Sequence, residues 1–458
     1  MSQPLWQRSE SAARSTNLVR FMADAERSCG RKLTSYEDLH AFSVEDPGAF
    51  WRLLWDRCGV KGDPGPAPYL IDGDKMPGAR FFPKGKLNFA ENLLAGASLT
   101  SGDAFVFRGE DKVSRRMSWA ELSQQAAQFQ GHLRRAGIEP GDRVAAMLPN
   151  VPEAIIGMLA ASSLGAIWSS CSPDFGVQGV LDRFGQIEPK ILITCDGYWY
   201  ASKQIDVADK VVEIAKKLPS VEQIIVVSYL GKADAVVQSL HAAGRPAATW
   251  DAAILGAPVE VMTFERFSFD HPLYILFSSG TTGVPKCIVH SAGGTLLKHL
   301  SEQQLMCDFR PGDRVMYFTT LGWMMWNWLA SGLASGVTLL LYDGSPFHPD
   351  GNILFDYAAA EHMTMFGTSA KFIDSVHKAG LRPGETHDLS ALKVITSTGS
   401  PLAPESFSFV YDAIKRDVHL ASISGGTDIV SCFVLGIPDK PVWKGEIQGP
   451  GLGLAVDV

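Results

Sequence analysis

Nine consecutive residues carry the densest chemistry in the chain: Ser278, Ser279, Gly280, Thr281, Thr282, Gly283, Val284, Pro285 and Lys286. Four hydroxyls, a full positive charge and two glycines sit together. Glycine lets backbone N–H groups approach a ligand with no Cβ in the way. Such a stretch is an anion cradle, suited above all to a polyphosphate. It is not a Walker A loop, because Pro285 stands where that motif needs its second glycine. No G-x-G-x-x-G opens a helix elsewhere in the chain.

Three further segments hold groups able to serve such a site. Gly322-Trp323-Met324-Met325-Trp326-Asn327-Trp328 packs three tryptophans and two methionines into six residues, more contact surface than a helix start needs. Thr398-Gly399-Ser400-Pro401 lies between a strand pattern and a helix pattern. Ser422-Ile423-Ser424-Gly425-Gly426-Thr427-Asp428-Ile429 supplies hydroxyls, two glycines and a carboxylate.

The elements that must position these groups read as α/β. The apolar run Leu273–Phe277 predicts a buried strand leading into the phosphate loop. From residue 104, strand and helix patterns alternate. Ser118 and Glu121 form a capping box, and Trp119, Leu122, Ala126, Phe129 and Leu133 follow at helical spacing until Gly137. Strands are expected at Arg143–Leu148, Ile191–Thr194 and Ile224–Val227, with Asn150 capping the helix that begins near Pro152. A second set is expected at Val315–Phe318, Val337–Leu341, Met363–Phe366 and Val394–Thr396. This alternation predicts two helix-flanked, largely parallel sheets, with ligands at strand ends. The expected division is a helical arm and wrap over 1–95, a first α/β unit over 96–270, a second over 271–420, and the start of a small β unit over 421–458.

Composition narrows the function. The 458 residues carry a net charge of −8 with no long basic run, which disfavours nucleic acid as a partner. Seven scattered cysteines without a C-x-x-C pair predict a reducing, cytoplasmic setting with no zinc site or disulfide frame. The N-terminal stretch has no apolar leader run. Val315–Tyr342 is free of charge and long enough to cross a bilayer, but Asn327, Gly332 and Gly336 break it into core-sized pieces.

The phosphate-loop residues resemble the signature of the adenylate-forming superfamily, which includes acyl-CoA synthetases, nonribosomal adenylation domains and luciferases. Leu87–Leu94 is similar to the lead-in of its short-chain acyl-CoA synthetases, and the Gly322–Trp328 run, Ser172–Lys190 and Gly425-Gly426-Thr427-Asp428 are most similar to its acetoacetyl-CoA synthetase branch. The resemblance implies two half-reactions: a carboxylate attacks Mg·ATP to form an acyl adenylate, and the thiol of CoA then displaces AMP. It implies phosphate contacts from Ser278 through Gly283, with Lys286 and Thr427 also catalytic. Thr398–Pro401 becomes a nucleotide or acyl turn, and Asp428 a magnesium ligand. Trp323, Met324, Met325, Asn327, Gly425 and Gly426 become the acyl pocket, with Asn327 donating to a β-keto oxygen. Gly425 replaces a tryptophan that closes the pocket of acetate-specific relatives, so a longer acid such as acetoacetate is expected. Ser424 stands where the family carries an adenine-stacking aromatic, Ser400 where many relatives carry Glu, and Asp428 is one methylene shorter than the usual Glu. In the family a ribose-binding Asp, a hinge and a small C-terminal domain with the adenylation lysine follow. Asp457 is not placed to be that Asp. The chain is therefore expected to be the large N-terminal portion of an enzyme, with poor turnover alone. Activation of another short acid, or nucleotide and acyl binding without turnover, remain open alternatives; an NAD-dependent enzyme lacks its glycine fingerprint.

Overall fold

A computed structural model describes residues 3–255, 261–278 and 283–457. Two seven-stranded sheets dominate it. In spatial order, the first runs Ala247–Thr249, Gln223–Val227, Ile191–Cys195, Arg143–Met147, Ile167–Cys171, Pro272–Ser278 and Lys286–Ser291. All its neighbours are parallel except the last pair. The second runs His419–Ser422, Val394–Thr398, Met365–Ser369, Arg314–Tyr317, Thr338–Asp343, Asp103–Gly109 and Val113–Ser118. It too is parallel up to its last, antiparallel strand.

Sheet membership cuts across the division expected at residue 270. The hairpin Asp103–Ser118 precedes the first sheet in sequence yet extends the second, pairing Leu339 with Phe105. Pro272–Ser291, expected to open the second unit, instead completes the first sheet beside Ile167–Cys171. The reason lies in how strands choose partners: apolar strands in parallel sheets are buried on both faces, so local pattern marks a strand without naming its neighbour.

Local expectations fare better. Ser118 and Glu121 form the reciprocal capping box of helix Trp119–Arg135, whose predicted apolar residues are all buried. The uncharged stretch divides into strand Arg314–Tyr317, helix Met324–Ser331 and strand Thr338–Asp343. No helix among the described residues is long and apolar enough to cross a membrane. Asn150 departs from expectation. The helix Pro152–Ser163 takes Val151 at its N-cap position with no side-chain cap. Asn150 instead accepts from Trp326 Nε1 at 3.1 Å and donates to Tyr342 O at 3.3 Å. With Trp168 stacked on Trp326 at 6.2 Å and Ser170 Oγ donating to Leu321 O, it ties strand ends of the first sheet to the second.

The stretch over residues 1–95 contains helices Asn17–Cys29, Tyr36–Glu45 and Pro47–Arg57. It closes on the far end of the chain: Tyr36 Oη donates to Pro450 O, and Trp6 bridges to Val442. There a three-stranded sheet forms from Ser424–Gly426, Ser431–Leu435 and Gly449–Pro450. All seven cysteines are free.

Candidate active site

The phosphate loop joins two antiparallel strands, and Ser278 pairs directly with Lys286 at its base. Ser279, Gly280, Thr281 and Thr282 lie outside the described residues. Gly283 has φ +93°, a left-handed conformation natural only to glycine. Side chains alternate along a strand, so exposed Lys286 shares a face with Ile288 and His290. His290 Nε2 donates to Thr427 O at 2.8 Å. The face that carries the lysine is thus the face turned toward the Thr427 turn.

The other three segments converge on one cavity of about 390 Å³. Trp323, Met324 and Met325 form its apolar wall. They sit at the start of helix Met324–Ser331, which follows the end of strand Arg314–Tyr317. Thr398 to Pro401 line it from the end of strand Val394–Thr398. Thr398 Oγ1 donates to Ile423 O at 3.1 Å, joining that turn to the next. Ser422 to Thr427 complete the ring from the end of strand His419–Ser422. Each group therefore sits at the carboxyl end of a parallel strand, where open α/β sheets bind ligands. Asp428 follows at an exposed position beside the lining.

The aromatic run divides by role. Trp323 alone of the three tryptophans reaches the cavity, braced edge-on by Tyr317 at 5.8 Å. Trp326 and Trp328 are core residues, 0% and 4% exposed. Asn327 corrects an expectation: it is 0% exposed and is no part of the lining. One helix turn presents only some of its residues to a given wall, and the register of Met324–Ser331 gives that wall to Met324 and Met325.

Gly425 gains a different meaning in three dimensions. A Cβ built on it would lie 2.0 Å from Ser431 O and 2.7 Å from Cys432 Cα. The strand Ser424–Gly426 is bulged against Ser431–Leu435 at this point, and the backbones approach too closely for any side chain. Backbone contact is what demands glycine at this position. At Gly426 a Cβ would meet only Asp428, at 3.7 Å.

Three residues absent from the sequence reading lie under this site: His290, His299 and Glu302. His299 Nε2 lies 2.8 Å from Val430 O and Nδ1 2.7 Å from Ser331 Oγ. Burial pushes the His299 imidazole down to about 4, so it is neutral at physiological pH. Burial lowers His290 as well. Nothing local marks these residues, since each takes a partner over a hundred positions away. A trio of metal-type side chains, Glu110, Asp111 and His348, occurs among the described residues and does not include Asp428.

A family described as "AMP-binding enzyme" matches residues 97–454, and "Acetyl-coenzyme A synthetase N-terminus" matches residues 36–93. The chain belongs to the AMP-binding enzymes, on the acetoacetyl-CoA synthetase branch. It is 59% identical over its whole length to an acetoacetyl-coenzyme A synthetase of Rhizobium meliloti, spanning 69% of that protein. It is 40% identical to acetoacetyl-CoA synthetase of Gallus gallus, spanning 68% of it. A solved structure of the acetoacetyl-CoA synthetase from Streptomyces lividans superposes with a TM-score of 0.91 at 40% identity, covering 99% of this chain and 69% of that one. The fold is that of the N-terminal part of an AMP-binding acyl-CoA synthetase, and family and relatives together support acid–CoA ligation as its chemistry.

Proposed function

We propose that this chain activates acetoacetate with ATP and transfers the acyl group to CoA. The observation that carries the reading is the single cavity in which the apolar start of helix Met324–Ser331 meets Thr398–Pro401 and the Ser424–Thr427 arm. Its volume is at the lower end of ligand pockets, about 300–1,000 Å³, which suits a short acid and part of a nucleotide.

In the first half-reaction a carboxylate oxygen attacks the α-phosphorus of ATP. The bond to pyrophosphate breaks, leaving acetoacetyl-AMP. Developing charge is met by Thr427, by Lys286 on the neighbouring strand face, and by Ser278 and the loop N–H groups through Gly283. Thr398, Gly399, Ser400 and Pro401 face the nucleotide, with no aromatic at Ser424 to stack on adenine. In the second half-reaction the CoA thiolate attacks the acyl carbon and AMP leaves with its oxygen.

Magnesium fits the residues present. Asp428 is an exposed carboxylate at the cavity's edge, and Mg²⁺ binds through one or two carboxylates plus substrate phosphates while keeping several waters. When bound, it supplies Lewis-acid neutralisation of phosphate charge. Trp323, Met324 and Met325 offer methyl-terminated acids an apolar wall, which favours acetoacetate over malonamate. A malonamoyl-CoA synthetase of Penicillium aethiopicum is 38% identical to this chain, so that comparison is a demanding one.

The test is thermal stabilisation by non-hydrolysable acyl-adenylate analogues with Mg²⁺, carrying acetoacetyl, malonamoyl, acetyl, butyryl and benzoyl groups. At 100 times its Kd a ligand adds about 2.7 kcal/mol. Acetoacetyl should stabilise most. Greater stabilisation by another analogue overturns the substrate assignment, and none by any analogue overturns the site.

A further inference from the structure

One buried carboxylate bonds to both elements that carry the cavity's walls. Glu302 lies in the π-helical segment Ser301–Met306, which continues helix Ala292–Leu300, and is 3% exposed. Its Oε1 accepts from Ser431 Oγ and from Cys432 N–H, the latter at 3.1 Å. Its Oε2 accepts from Trp328 Nε1 at 2.9 Å. Trp328 belongs to the helix that carries Met324 and Met325. Ser431 and Cys432 belong to the strand paired with Ser424–Gly426. Lys298 Nζ lies 3.8 Å from Oε1 and donates to Leu452 O at 3.0 Å.

The chemistry of this fork requires a carboxylate. Each of its hydrogen-bonding neighbours is a donor, and an ionised carboxylate is the side chain that only accepts. A buried ion is a poor device for stability alone, because apolar replacements of similar volume often do as well. π-Helical insertions, moreover, occur frequently at functional sites.

The turn between Thr427 and Ser431 is held with equal care. Val430 has φ +48°, an outlier for a β-branched residue. Backbone strain of this kind persists only where the surroundings over-determine it. A neutral His299 has one N–H, and Val430 O can only accept, so Nε2 donates there while Nδ1 accepts from Ser331 Oγ. His290 holds Thr427 O. Side chains from one strand–helix unit thus fix the turn at Thr427, Val430, Ser431 and Cys432.

We propose that Glu302 is a positioning residue: its carboxylate sets the separation between the acyl wall of Met324 and Met325 and the arm that carries Thr427 and Asp428. The proposal rests on the acid-activation reading only for its ligand; the ties are geometric.

Glu302→Gln keeps the shape and turns one acceptor into a donor facing another donor. Amide hydrogen exchange without ligand, and the Kd of the acetoacetyl-adenylate analogue, are measured for wild type, Glu302→Gln, Thr427→Ala and the double variant. Exchange at Cys432 and its hairpin neighbours should rise at least about tenfold in Glu302→Gln, and analogue affinity should fall about tenfold, as expected for one orphaned buried donor. In the Thr427→Ala background the same change should cost less than about threefold, because residues acting through one another are not additive. Additive losses, or wild-type exchange and affinity in a folded Glu302→Gln protein, overturn the proposal. Should that variant not fold, Ser431→Ala removes a single donor and is judged by the same two readouts. A wild-type chain that ignores the analogue refutes the acid-activation reading, while hairpin-confined exchange gains would still uphold the tie.

Discussion

Replacing Gly425 with alanine adds one methyl group and should cost more than its size suggests. The new Cβ would sit 2.0 Å from Ser431 O and 2.7 Å from Cys432 Cα. Even close carbon–oxygen contacts lie at about 3.3–3.6 Å, so the two strands must part by roughly 1.3 Å. Both clashing atoms are backbone, and no rotamer change relieves them. Overpacking of this kind costs about 1–3 kcal/mol. A domain of 150–250 residues loses about 2–4 °C per kcal/mol, and this longer chain should lose less, so Tm should fall by a few degrees. Function should suffer more. Gly425 adjoins Gly426 and Thr427 on the cavity wall, and a displacement of about 1 Å in a reacting geometry can cost about 10²-fold. The assay is isothermal titration with the acetoacetyl-adenylate analogue, beside a calorimetric Tm. Gly426→Ala is the control for the backbone clash, since its Cβ meets only Asp428 at 3.7 Å and should leave Tm nearly unchanged. Wild-type affinity in Gly425→Ala, or equal losses of Tm in both variants, would refute the backbone argument and return Gly425 to a choice of pocket size.

Lys286→Met should leave Tm unchanged, because the side chain is exposed. It should weaken binding of ATP about 10- to 100-fold through loss of a charge-assisted hydrogen bond worth about 1.5–3 kcal/mol, as read by equilibrium binding. Met325→Ala should join the main cavity to a void of about 20 Å³ behind Met325, Ile423 and Cys432. Preference should move from acetoacetyl toward hexanoyl analogues at a stability cost of about 2–5 kcal/mol; an unchanged preference order would sink the assignment of Met325 to the acyl wall. His419 is pushed down to about 4 by burial, against an ordinary 6.5. The unfolded chain takes up this proton first, so the stability His419 contributes is complete above pH 6.5 and is lost as pH falls from 6.5 to 4, about 3 kcal/mol in all. Asp343 and Asp439, raised by burial to about 7 and about 6, titrate with the opposite sign in the same range. The test is therefore the difference between His419→Phe and wild type in urea unfolding, which should slope across that window and be flat above it.

What could be read in advance follows the range of the interactions involved. The capping box at Ser118 and the apolar periodicity to Leu133 are contacts within a few residues, and both stand in the structure as expected. The cavity segments were also legible, because Trp323–Met325, Thr398–Pro401 and Ser422–Thr427 each carry unusual local chemistry, and Thr398–Pro401 follows an expected strand. Asn327 was misplaced because an apolar helix buried all round shows no periodicity to separate cavity from core. Strand order was hidden for a related reason: Asp103–Gly109 pairs with Thr338–Asp343 through hydrogen bonds that leave no mark on either pattern.

Glu302 is the sharper case. In the run Ser301-Glu302-Gln303-Gln304 nothing local sets it apart, and only Trp328 and the strand Ser431–Leu435 make it a buried acceptor. The chemistry-bearing loops are thus local and visible, while the groups that space them apart come from elsewhere in the chain. A substitution at Glu302 or Gly425 touches no atom of a phosphate, yet each alters the distance between walls that must close on one carboxylate. If catalysis depends on that distance as steeply as near-attack geometry requires, two residues that carry no reacting group should rank with Lys286 and Thr427 in their effect on the bound acyl adenylate.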